Sequence, residues 1–123
     1  VLGTDERGSL VINDTVRVGQ TVQFHVRDAD SADEDLRSLL DDTRGASGGG
    51  RPAGALLFTC NGRGTRLFPG PDHDVSALHG ALGPIPVAGF FAMGEIGPVG
   101  GQNFLHGFTA SIAVFEQDDS ARA

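Results

Sequence analysis

The stretch Ala55-Leu-Leu-Phe-Thr-Cys-Asn-Gly-Arg-Gly64 decides how this chain is read. Its apolar half, Ala55 to Phe58, runs into Cys60 and stops at Asn61-Gly-Arg-Gly64. A short apolar run ended by turn residues is the pattern of a buried strand that delivers a polar loop to one edge of a sheet. A loop of this composition can hold an anion. Backbone N–H groups converge in it, and arginine adds a planar, two-pronged donor.

Further strands lie on either side. Pro86-Val-Ala-Gly-Phe-Phe-Ala-Met93 reads as one, with Phe90 and Phe91 on opposite sides, so that one of the two is expected in the core. Phe108–Phe115 reads as another. It places Phe108, Ala110, Ile112 and Val114 on one face and Thr109, Ser111 and Ala113 on the other. Upstream, Leu10–Val16 and Thr21–Val26 read as a hairpin around Arg17-Val-Gly-Gln20.

Two helices are predicted. Ser31-Ala-Asp-Glu34 fits a capping box ahead of Leu36, Leu39 and Leu40, with the helix running to Thr43. Asp72 fits the N-cap of a helix carrying Val75, Leu78 and Leu82 on one face, stopped by Gly83 and Pro84. Gly45–Gly54 is expected to be a flexible connector within a domain spanning 1–115, and 116–123 a disordered acidic tail.

The order β-β-α-β-α-β-β implies an α/β (α+β) fold: a mixed sheet of about five strands with two helices packed on one face. The strand–helix–strand units favour parallel neighbours. The loops Asn61–Gly64 and Gly94–Gly97 are then expected to open on one edge, where such sheets hold ligands.

Composition sets the outer limits. A chain of 123 residues makes one domain, and its start at Val1 reads as a piece of something longer. The net charge of -7 argues against general affinity for nucleic acid or anionic membranes. The acids concentrate in Asp28–Asp42, where a solvated helix face explains them. One cysteine forms no internal disulfide, so a reducing cytoplasm is the simplest setting. No apolar run approaches the ~20 residues that span a bilayer. All nine basic residues are arginine, which removes Schiff-base lysine chemistry from this segment.

The runs Leu57-Phe-Thr-Cys-Asn-Gly-Arg-Gly64, Pro86-Val-Ala-Gly-Phe-Phe-Ala-Met-Gly-Glu-Ile-Gly-Pro98 and Leu105-His-Gly-Phe-Thr109 resemble the C-terminal half of the FIST domain. Val22-Gln-Phe-His-Val-Arg-Asp28 resembles the start of that half. The resemblance implies a sensory domain of intracellular signal-transduction proteins, with small ligands such as amino acids. It also implies an N-terminal FIST half as partner, with which a ligand site can be shared.

Arg63 is the leading candidate ligand residue, as a fork for a carboxylate between Gly62 and Gly64. Glu95, opposite it, suits an ammonium group. A salt bridge between the two that merely ties the loops together competes with this reading. Cys60, Asn61, Phe91, Gly94, His106 and Thr109 complete the candidate ligand set. Cys60 also admits an acyl-transfer or hydrolytic reading, with His73 or His106 as base and the Asn61–Gly64 amides as oxyanion hole. Free cysteine is more commonly a packed core residue, so no catalytic residue is assigned. Cys60, Asp72, His73, His79 and His106 lack the pairwise spacing of a metal site, and no cofactor is expected. A third reading is an interaction domain that pairs with the N-terminal half or with a second copy as a homodimer.

Overall fold

The run beginning at Ala55 forms the central strand of the computed structural model, which describes residues 2–12, 14–24, 27–46 and 52–117. The elements are β1 (Gly3–Thr4), β2 (Leu10–Val11), α1 (Ala29–Ala46), β3 (Gly54–Cys60), α2 (His73–Leu82), β4 (Val87–Ala92), β5 (Glu95–Val99), β6 (Gln102–His106) and β7 (Ala110–Phe115). The fold is α+β with a mixed sheet ordered β4-β3-β7. β4 runs parallel to β3, as a crossover through α2 requires, and β7 runs antiparallel on the other side.

Alternation on β3 sends Ala55, Leu57 and Thr59 toward the helices. Their register partners Val87 on β4 and Val114 and Ile112 on β7 face the same way. Leu36 and Leu40 of α1 meet Ala77, Leu78 and Leu82 of α2, together with Ile85, over this face. Leu40 and Leu78 are fully buried, and each such burial contributes about 1.5–3 kcal/mol. Leu39, expected on the same stripe, is 53% exposed because the next helix lies on the Leu36–Leu40 side.

The helix signals hold in kind and shift in detail. α1 begins before Ser31, and Asp28 is its capping side chain. Asp28 accepts from the Ser31 N–H at 2.9 Å and the Ser31 hydroxyl at 2.8 Å. Asp72 occupies the predicted N-cap of α2 in a left-handed conformation, but its side chain makes no capping bond. Gly83 caps the C-terminus as expected.

The strands differ more. The main sheet has three strands rather than about five. The expected N-terminal hairpin is reduced to a two-residue ladder of Gly3–Thr4 with Leu10–Val11. Residues 14–24 form no strand, and His25 and Val26 lie outside the described residues. Alternation alone did not suffice there, because no neighbouring strand pairs with the segment. The Gly94–Pro98 region, read as loop, is a strand in a β5–β6 hairpin. Val99 pairs with Gln102, and Gly100 and Gly101 both take positive φ (58° and 81°). A two-residue turn with two positive φ angles is the tight hairpin form that glycine permits. The expected connector is partly ordered. Gly45 and Ala46 close α1, the Ala53 N–H donates to the Phe115 carbonyl, and 47–51 lie outside the described residues.

The other side of the sheet carries Phe58, Phe90 and Phe115 and has no helix over it among the described residues. Phe90 is 66% exposed and Phe115 52%. Phe91, on the helix side at the edge strand, is also 60% exposed. Neither member of the Phe90–Phe91 pair is therefore in the core. No helix among the described residues is long and apolar enough to cross a membrane.

Candidate functional site

β3 and β4 end in register at Cys60 and Ala92, so their following segments do open on one edge. The Asn61 N–H ties the two ends by donating to the Ala92 carbonyl at 2.8 Å. The loop turns back at Arg63, whose N–H donates to the Cys60 carbonyl. Gly62 is glycine because the Phe108 ring lies on it, and a Cβ there would meet Phe108 Cε1 at 2.3 Å. The Gly62 N–H donates to Cys60 Sγ at 3.5 Å.

Arg63 does not face Glu95 across an open gap. It is 5% exposed and holds Asp74 of α2 bidentately, Nε to Oδ2 at 2.9 Å and Nη2 to Oδ1 at 2.8 Å. His73 extends this pair. Its Nδ1 lies 3.0 Å from Asp74 Oδ1, and its Nε2 lies 2.9 Å from Asp33 Oδ1 on α1. Asp33 in turn accepts from Arg37 at 2.7 Å. The His73 ring stacks on buried Phe68 at 3.4 Å between centroids, which fixes its plane. The chain Arg37–Asp33–His73–Asp74–Arg63 thus fastens α1, α2 and the glycine loop together. Burial pushes the Asp74 carboxyl up, but the hydrogen bonds and charges of Arg63 and His73 outweigh it. Its pKa lies below the ordinary carboxylate value. Asp33 is also lowered, chiefly by its hydrogen bond from Arg37.

Glu95 is 2% exposed, and its Oε2 accepts from the Thr109 hydroxyl at 3.0 Å and the Thr109 N–H at 3.4 Å. Its Oε1 is buried without a hydrogen-bond partner among the described residues. Arg63 Nη1 reaches the Phe108 carbonyl at 3.5 Å. Arg63 and Glu95 therefore grip adjacent residues of one corner, Phe108-Thr109, where Phe108 holds a left-handed φ of 62°. A bulky residue held there is strained, and the contacts around it maintain it.

The expected ligand residues consequently separate. Cys60 is 7% exposed at the end of β3, and the Cys60 N–H donates to the Thr109 carbonyl. Among the described residues no histidine hydrogen-bonds to Cys60, and His106 Nε2 instead contacts the Gly97 carbonyl at 3.0 Å. Asn61 and Gly94 border neither of two clefts beside the helices, whereas Arg63 and Thr109 line the first and Gly64 and Phe91 the second. No group of three or more metal-ligating side chains occurs among the described residues.

The first cleft, about 310 Å³, lies between the start of α1 and the Phe108 corner. It adds two groups that the sequence reading did not single out, Arg27 and Asp35. The Arg27 guanidinium sits over the Phe108 ring, 3.7 Å from its centroid, and has no carboxylate partner among the described residues. Only the resemblance of Val22–Asp28 pointed near it, since an arginine before a helix cap carries no signal by itself.

The chain is 58% identical over 119 residues to "Uncharacterized protein MT0897" of Mycobacterium tuberculosis (strain CDC 1551 / Oshkosh) and to "Uncharacterized protein Mb0898c" of Mycobacterium bovis. Those matches cover 96% of this chain and 31% of each relative. It is also 58% identical over 116 residues to "Uncharacterized protein Rv0628c" of M. tuberculosis (strain ATCC 25618 / H37Rv), covering 94% of the chain and 30% of the relative. The chain thus spans about a third of the length of these relatives. No solved structure matches it. The FIST C domain matches residues 1–98, with the glycine loop, the Arg63–Asp74 pair and β4 inside that span, and this chain belongs to the FIST C domain family.

Proposed function

We propose that this chain is the ligand-binding part of a cytoplasmic signal-transduction sensor, and that the cleft beside Phe108 takes a small zwitterion such as an amino acid. The observation that carries this is Arg27. A guanidinium stacked on an aromatic ring is pre-oriented, and one without a carboxylate partner is free to take a ligand carboxylate bidentately. Asp35, on the wall of the same cleft, suits the ligand's ammonium group. The cation–anion pair expected at Arg63 and Glu95 is thereby moved to Arg27 and Asp35, because the first pair is spent on internal contacts. The reading is of a binding domain and not an enzyme, in keeping with a buried Cys60 that has no hydrogen-bonded base among the described residues.

Calorimetric titration with a panel of amino acids tests this. One or more should bind saturably, and Arg27→Ala and Asp35→Ala should each weaken binding at least tenfold. Binding that survives both substitutions would remove the assignment.

The exposed rings of Phe90 and Phe115 favour a second role, as an interaction surface for the rest of a longer FIST protein. Light scattering on the 123-residue chain should show self-association that Phe90→Asp and Phe115→Asp abolish. A monomer in both forms would count against an interacting face.

A further inference from the structure

On the far side of α2 from the Arg27 cleft lies a second concavity of about 320 Å³, between α2 and the edge strand β4. Leu57 of β3, Val75 of α2, and Val87 and Phe91 of β4 form an apolar part of its wall, and Asp72, His73, Asp74 and His79 of the α2 side form a polar part. Between Val87 and Phe91 the cleft is lined by Gly89, which offers bare backbone as a flat surface. The position is confined to glycine, because a Cβ there would run into the Leu57 backbone of β3.

The base of the cleft holds Thr59. This residue is 5% exposed, and its hydroxyl has no hydrogen-bond partner among the described residues. A hydroxyl that lines a cleft without an internal partner can pair with a ligand's polar atom. Of the carboxylates that line the cleft, Asp74 is occupied by Arg63 and His73, and Asp72 is exposed to solvent. Around Thr59 and Gly89 the cleft therefore offers an apolar surface and one hydroxyl, and its exposed Asp72 carboxylate disfavours an anionic ligand.

We propose that this cleft binds an uncharged, planar aromatic molecule with a single hydrogen-bonding group. The ring lies flat over Gly89 against Phe91, and the polar atom pairs with Thr59 Oγ1. This site does not depend on the Arg27 cleft, and either assignment stands if the other fails.

The test is an NMR titration of the labelled 123-residue chain with phenol, toluene and 4-hydroxyphenylacetate. Phenol should give saturable shifts centred on the Thr59, Gly64, Gly89 and Phe91 amides. Thr59→Val keeps the side-chain shape and should weaken phenol about tenfold while leaving toluene unchanged, the loss expected of one enclosed hydrogen bond. Phe91→Ala, at an exposed ring that the core does not need, should weaken phenol and toluene alike. 4-Hydroxyphenylacetate should bind more weakly than phenol. Shifts that do not saturate, shifts centred on Phe90 and Phe115, or equal responses of phenol and toluene to Thr59→Val would overturn the proposal. So would tighter binding of the charged acid.

Discussion

At the scale of single residues, Arg63 shows how a side chain suited to a ligand is consumed by the fold. A guanidinium at 5% exposure must be paired, and Asp74, equally buried, supplies both oxygens. Removing one partner of such a pair strands a buried charge at a cost of about 3–5 kcal/mol, whereas replacing both by apolar groups of similar volume is far milder. Urea denaturation should show Arg63→Met and Asp74→Leu each strongly destabilised, with the double variant recovering much of the loss. Additive losses would mean that the two groups act independently. The depressed pKa values of Asp74 and Asp33 add a pH signature. Because the folded values lie below the unfolded ones, this stabilisation is complete above about pH 4 and is lost as pH falls through the folded values. Urea midpoints measured from pH 7 down to pH 2 should therefore drop at the acid end. Asp74→Asn, already less stable at neutral pH, should give a flatter profile. Cys60, Gly62 and Arg63 were legible as a strand-end loop, but their partners were not. Nothing in the spacing of Arg63, Asp74 and Phe108 announces that they meet.

At the scale of elements, the helices were the most readable parts because their signals are local. The leucine stripe of α1 and the Asp72 and Gly83 boundaries of α2 are set within a turn or two of chain. Even so, the first cap was misplaced by three residues, since Asp28 and Ser31 are both good cap residues. Asp28 wins by accepting from both the N–H and the hydroxyl of Ser31. Asp28→Ala should therefore lower the melting temperature and fray the first turn of α1, seen as lost helical circular dichroism. Ser31→Ala should do less, because the N–H donor remains. The β5–β6 hairpin had a visible signal in Gly100-Gly101, yet Pro98 and the surrounding glycines disguised the strands. Pro98 is tolerated because β5 pairs only with β6 and leaves its other edge unused.

At the scale of the whole molecule, the helices and the core lie on one side of the sheet, and Phe58, Phe90 and Phe115 lie on the other. β3 is hydrogen-bonded on both edges and packed by both helices, while β1 and β2 pair only with each other. Native-state hydrogen exchange should rank β3 slowest and β1–β2 fastest. Fast exchange in β3 would contradict its place at the centre of the core. The local signals of this sequence determined its class: an apolar strand run into a glycine loop, two capped amphipathic helices, and a chain order that makes β3 and β4 parallel. These depend on periodicity and on residue chemistry within a few positions. Tertiary structure alone decided which candidates became a site. It turned Arg63 toward Asp74, buried Glu95 under Thr109, laid Phe108 over Gly62 and, among the described residues, left Arg27 without a carboxylate and the Thr59 hydroxyl without a partner. Such pairings join residues far apart in the chain, and their energy comes from burial and charge compensation that exist only once the sheet and helices have closed around them.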